Sequence, residues 1–196
     1  MRRSRRVARL AAALIAVLCA SGAARPCGAQ TVSATSGDPA VIARIRTEFA
    51  AIEREAPAYR QTRHEVWNFS LEGGELTGFY RGRELRKLYA RLFGETWQGT
   101  EEYYFSGDDL IFIHTVQERY DEPFSGRVRW TIEHRFYFDG GRLIRRIRTV
   151  RPAFGTGVDL SAYDPDLSPL LRNAGLFAAC AAAPASDAPQ CTAPEP

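Results

Sequence analysis

The chain has 196 residues, 26 Lys+Arg against 23 Asp+Glu, and a formal charge of +3. That basicity sits at the start: residues 1–29 carry six arginines and no acid, and without them the balance is about −3. A domain with that balance has no electrostatic footprint for nucleic acid.

The first 29 residues read as a secretory signal peptide. They hold a basic start at Arg2, Arg3, Arg5, Arg6 and Arg9, an apolar run from Leu10 to Ala20, and a small-residue exit at Cys27-Gly28-Ala29. Cleavage is expected near Ala29-Gln30, with Ala23-Ala24 as the alternative. The run is too short to cross a hydrocarbon core of ~30 Å as a helix, and no later segment is longer. The sequence thus predicts an exported protein, periplasmic or secreted, without a membrane span. Neither Cys19, after Leu18, nor Cys27, after Pro26, has the small preceding residue of a lipid-anchor site.

Gln30 to Gly37 is small and polar and reads as a linker. Asp38-Pro39 then offers a helix cap and a proline at the first helical position. Val41, Ile42, Ile45, Phe49 and Ile52 recur at helical spacing, which predicts an amphipathic helix to about Glu55, ended by Pro57. From Thr62 the period changes to two. Trp67, Phe69 and Leu71 share a face, Gly73-Gly74 supplies a turn, and Leu76, Gly78 and Tyr80 continue on the return. Glu84 to Phe93 fits either period, and its flanks at Gly82 and Gly94 favour a strand.

Further strands follow over Thr100 to Ser106, Asp109 to Tyr120, Arg127 to Phe138 and Arg142 to Val150, for seven in all. Along the sixth, Val128, Trp130, Ile132, His134, Phe136 and Phe138 alternate with Arg127, Arg129, Thr131, Glu133 and Arg135, so one face is expected buried and one wet. Leu110, Phe112 and Val116 are expected on the same buried face. A second helix from Asp166 or Ser168 to about Ala178 presents Leu167, Leu170, Leu171, Ala174 and Phe177. The fold class is therefore mainly β (α+β). It is read as a single antiparallel meander over 38–178, curved into a half-barrel and covered by both helices. The Ala/Pro-rich tail, 179–196, holds Cys180 and Cys191, a pair that reads as a disulfide in an oxidising compartment.

Gly94-Glu95-Thr96, Tyr103-Tyr104-Phe105, Leu110-Ile111-Phe112, Glu118-Arg119-Tyr120 and Arg135-Phe136-Tyr137-Phe138 lie within 62–148. This stretch resembles exported bacterial β-meander proteins with no activity attached to them. The likeness rests on turn and core positions, so it implies a fold and no chemistry.

Turn arithmetic gathers one polar constellation. Two-residue turns at Gly107-Asp108 and Asp139-Gly140, with a loop centred on Phe124, would place Glu101, His114, His134 and Arg145 in one row across the apolar face. A carboxylate beside an imidazole is a general acid/base pair or a ligand reader. Glu101, His114 and His134 are the catalytic candidates; His114, His134, Arg145, Trp130 and Tyr103 are the ligand-binding candidates. The alternative for each His is a hydrogen-bonded core position. No metal or cofactor is expected, for no zinc spacing, nucleophile elbow or Cys-His arrangement occurs.

Three functions fit. The first is a non-catalytic module that binds a protein or envelope component through an edge or loop end. The second is a carrier of an apolar or amphiphilic small molecule, and the third is a small enzyme using Glu101 and His114.

Overall fold

The computed structural model describes residues 30–35, 37–153, 166–183 and 191–194. The proposed signal peptide and part of the expected tail lie outside the described residues. Helix α1 spans Pro39–Glu55, as its periodicity requires. The Asp38 carboxylate accepts from the Ala40 amide at 2.8 Å, satisfying one donor that the helix cannot pair internally. Ile42, Ile45 and Ile52 form its buried side, and a short 3-10 turn over Ala56–Ala58 follows.

The strands are β1 Gln30–Thr35, β2 Arg60–Trp67, β3 Gly74–Arg81, β4 Glu84–Gly94, β5 Trp97–Ser106, β6 Asp109–Tyr120, β7 Val128–Asp139, β8 Arg142–Pro152 and β9 Cys191–Thr192, with α2 at Leu167–Ala182. They form one sheet in the order β1-β8-β7-β6-β5-β4-β3-β2-β9. From β2 to β8 each strand pairs antiparallel with the next, the meander that the turn spacing implies. The sheet stays open.

The two strands beyond the expected seven lie at the edges. Gln30–Thr35, expected as linker, pairs antiparallel with β8 from Gln30↔Val150 to Thr35↔Arg145. Ladder bonds use backbone groups, so a polar segment with no apolar alternation can still add a strand. At the other edge β9 pairs parallel with β2. Cys180 and Cys191 are disulfide-bonded with Cα atoms 5.8 Å apart, which ties β9 to the end of α2. The helix runs beyond the expected Ala178, so Cys180 lies on it rather than in a tail.

The first hairpin departs from its expected register. Asn68 adopts a left-handed backbone at φ 63° and turns the chain early; the Ser70 hydroxyl donates to the Gly73 carbonyl at 2.6 Å and closes a loop over 68–73. A two-residue Gly73-Gly74 turn would set Trp67 across from Tyr80; instead Arg60 faces Tyr80, and Trp67 and Leu71 are exposed.

Both faces of the sheet are covered, one by each helix, where a single covered face was expected. Helix α1 packs on Tyr104, Phe112, Tyr137 and Ile144. Helix α2 packs on Leu76, Leu88, Tyr103, Ile113 and Phe136 through Leu170, Ala174 and Phe177. The neighbours Tyr103 and Tyr104 belong to opposite cores, as strand alternation requires. The alternation on β7 holds, with Trp130, Ile132, Phe136 and Phe138 buried. The "wet" face does not: Glu133 and Tyr137 are buried as well, because α1 and an ion network lie over them. Phe112 also changes sides, facing Tyr137 rather than Phe136. At Gly78 a Cβ would come within 2.8 Å of the Ala181 methyl, so the missing side chain lets α2 sit directly on the sheet.

Candidate functional site

The expected row of Glu101, His114, His134 and Arg145 does not form. A bulge between Tyr104 and Phe105 shifts the β5–β6 register, so Glu101 lies opposite Thr115 and His114 opposite Glu102. A second bulge, between Arg119 and Tyr120, sets His114 against Arg135 and His134 against Thr115. Gly140 and Gly141 both take positive φ and make the last turn themselves, and a third bulge follows between Tyr137 and Phe138. Arg145 then faces Tyr137, and His134 faces Arg148. Each one-residue slip moves a side chain to the other face. His114 and Arg145 consequently share the α1 face; Glu101, Tyr103, Trp130 and His134 share the α2 face.

On the α2 face these residues are core groups. Glu101 accepts from the Tyr103 hydroxyl at 2.5 Å and from the Asn173 amide at 3.3 Å. Burial raises its pKa despite both bonds, for among the described residues no cation acts on it to favour the ion. Burial, then the adjacent Glu101, pushes the Tyr103 phenol well up. His134 is buried with its ring stacked on Phe136, centroids 5.7 Å apart. Trp130 packs with Ile132 and Val150 under the Arg129 guanidinium.

The α1 face is different in kind. His114 Nδ1 lies 2.7 Å from Glu102 and Nε2 lies 3.0 Å from Glu133, so a carboxylate stands at each end of the ring. An imidazole that gives a hydrogen bond to an acceptor at both nitrogens is an imidazolium. Burial opposes the charge, but the bond and charge of Glu102, then those of Glu133, outweigh it and raise the His114 pKa. Glu102 also receives Lys87 Nζ at 2.7 Å, and the same ammonium donates to Glu53 of α1 at 2.6 Å. The Tyr104 hydroxyl donates to Glu53 at 3.0 Å. Glu133 is shared by His114, by Arg151 at 2.8 Å and by Arg135. Burial resists ionisation of Glu102 and Glu133, yet these partners hold both pKa values below the ordinary carboxylate range.

Beside this network opens a pocket of about 440 Å³, lined by Arg46, Phe49 and Ala50 of α1 and by Phe112, His114, Arg135 and Tyr137 of the sheet. Phe49 meets Phe112 edge-on at 5.2 Å, and Phe112 packs on Tyr137 at 4.8 Å, so the floor is aromatic. The Arg46 guanidinium lies 5.8 Å from the Tyr137 ring centre. No group of three potential metal ligands occurs among the described residues. Glu102 and Glu133 hold opposite nitrogens of one ring, which leaves them no common point to share.

Of the sequence candidates, only His114 lines the pocket. Arg46, Phe49, Glu102, Glu133 and Arg135 were not expected in a site. One signal was available: Tyr104 and Tyr137 put aromatic bodies among the charges of the face taken as wet. The chain matches no family model, no curated protein and no solved structure.

Proposed function

We propose that this chain is an exported, non-catalytic binding protein that holds a small amphiphilic molecule between α1 and the sheet. The pocket carries the reading. Its volume lies in the range of small-molecule sites, roughly 300–1,000 Å³, and it combines an apolar floor with a few convergent polar groups. The signal-like leader and the disulfide support an oxidising compartment.

Catalysis by the carboxylate–imidazole pair has less support. Glu101 and His114 lie on opposite faces, and the carboxylate that does reach His114 is only one of two, so neither ring nitrogen is open to take a proton from a substrate. Docking through a sheet edge has less support: β1 and β9 are edge strands because the sheet is open, and neither contributes a residue to the pocket.

The test is to plug the pocket. Ala50 is an exposed helical position on the pocket wall, so Ala50→Trp should fill the space and leave the fold intact. Calorimetric titration of the mature protein with ten-carbon amphiphiles should show saturable one-to-one binding that Ala50→Trp abolishes at unchanged melting temperature. Equal binding by the variant would place the ligand elsewhere and end this reading.

A further inference from the structure

The lining of the pocket is lopsided in charge. It includes Arg46, Arg135 and His114 and no carboxylate. That asymmetry runs against the chain after its leader, which carries about −3. It also survives a count of the neighbours. Among the described residues Lys87, His114, Arg135 and Arg151 pair only with Glu53, Glu102 and Glu133. Three of those cations divide a single carboxylate, Glu133. Arg46 adds one more positive charge; among the described residues it meets the Tyr137 ring and pairs with no carboxylate.

Resting on the pocket reading above, we infer that the ligand is an anionic amphiphile, with a single carboxylate or comparable head group taken between Arg46 and Arg135 and its hydrocarbon part laid on Phe49, Phe112 and Tyr137. The geometry suits that division. Arg46 is exposed on α1 and Arg135 is half-exposed on β7, so both retain hydrated N–H donors at the mouth. A guanidinium offers five donors in a planar fork that matches a carboxylate. Glu133 occupies part of the Arg135 fork and fixes its direction, which reduces the ordering that a ligand must impose. The stacked Phe112 and His114 rings, nearly parallel at 7°, extend the apolar wall up to the polar rim.

The experiment compares three probes with one tail: decanoate, decanol and decyltrimethylammonium, titrated into the mature wild-type protein and two variants. One variant joins Arg46→Met with Arg135→Met. The other is Arg54→Met, a control on the same helix whose guanidinium pairs with Glu55 and does not line the pocket. Decanoate should bind at least about tenfold more tightly than decanol, since hydrogen bonds between charged partners are roughly twice as strong as neutral ones. The ammonium probe should bind worst, and the double variant alone should bring decanoate down to the decanol affinity. Decanol binding as well as decanoate would overturn the anionic head group and leave the carrier standing. A double variant that binds decanoate as Arg54→Met does would also overturn it. Failure of all three probes would remove both this inference and the carrier.

Discussion

Glu101 and Glu102 are consecutive on β5, yet their environments are opposite. Glu101 points under α2, receives two neutral donors and is pushed toward its protonated form by burial. Glu102 points under α1, meets His114 and Lys87, and is held ionised despite burial. The same contrast runs through the whole sheet. The α2 face is a hydrocarbon core with a few polar groups set into it; the α1 face is a chain of ions beside an open pocket. One face is built to hold the molecule together, and the other retains polar groups that a stability-only design would replace with packed side chains.

The sharpest way to break this comparison is to damage the α2 side and ask whether the pocket notices. Phe177 is fully buried and packs on Phe69 at 4.5 Å and on Tyr103 at 6.0 Å. Phe177→Ala should cost about 3–5 kcal/mol, seen as a melting-temperature fall of roughly 10 °C. Ligand affinity measured well below that transition should be unchanged. A parallel loss of affinity would show that the two faces are one cooperative site.

Next in size is the disulfide. Replacing both Cys180 and Cys191 with Ser reopens the short loop and should cost about 2–3 kcal/mol in the chain-entropy account. Faster hydrogen exchange should appear at the Ala193 amide, which donates to the Trp67 carbonyl, and along the β2 edge. The α1 face should keep its protection. Exchange spreading into β6 or β7 would contradict the separation.

These two regions were not equally legible in the sequence. Helix spacing, the proline and the cap gave α1 its bounds, and glycines at Gly82, Gly107 and Gly140 marked turns of the meander, because those signals act within a few residues. The α2 core was readable for the same reason, through Trp130, Ile132, Phe136 and Phe138. The site was not. Its residues come together only after bulges near Tyr104, Arg119 and Tyr137 have each moved the register by one. Nothing in Phe105 or Tyr120 announces a bulge; it arises from the twist and coverage of the finished sheet. Glu102 therefore took the place assigned to Glu101, and Arg135 the place assigned to His134. A helix docking over Tyr104 and Tyr137 likewise turned an apparently solvated face into a half-buried one.

Smaller effects follow from titration on the α1 face. Glu102→Gln leaves Lys87 and His114 short of a counter-charge and should cost about 2 kcal/mol at pH 7. The folded pKa of Glu102 is depressed, so that loss should shrink as pH falls from about 4.3 through the folded value. His114→Gln should cost on the order of 1 kcal/mol with the reverse slope. Its folded pKa is raised, so its contribution is complete below about pH 6.5 and disappears as pH rises through the folded value. Urea melts of each variant against wild type between pH 3 and 9 would resolve both slopes. A pH-independent difference for His114→Gln would mean that the ring is neutral between its two carboxylates.

The smallest effect has the opposite sign, and it turns the contrast between adjacent carboxylates into a single measurement. Because the folded pKa of Glu101 is raised, its favourable contribution is complete below about pH 4.3 and is lost as pH climbs through the folded value; at neutral pH, ionising or protonating it costs stability. Glu101→Gln keeps an oxygen to accept from Tyr103 and removes that cost. The variant should therefore match wild type near pH 4 and exceed it at pH 8, by less than about 1 kcal/mol. Its stability difference plotted against pH should rise from zero where that of Glu102→Gln falls away from it. Two neighbouring Glu→Gln changes with curves of the same sign would mean that one medium surrounds both side chains, and the division of labour between the faces would fail at the strand where it is most sharply drawn.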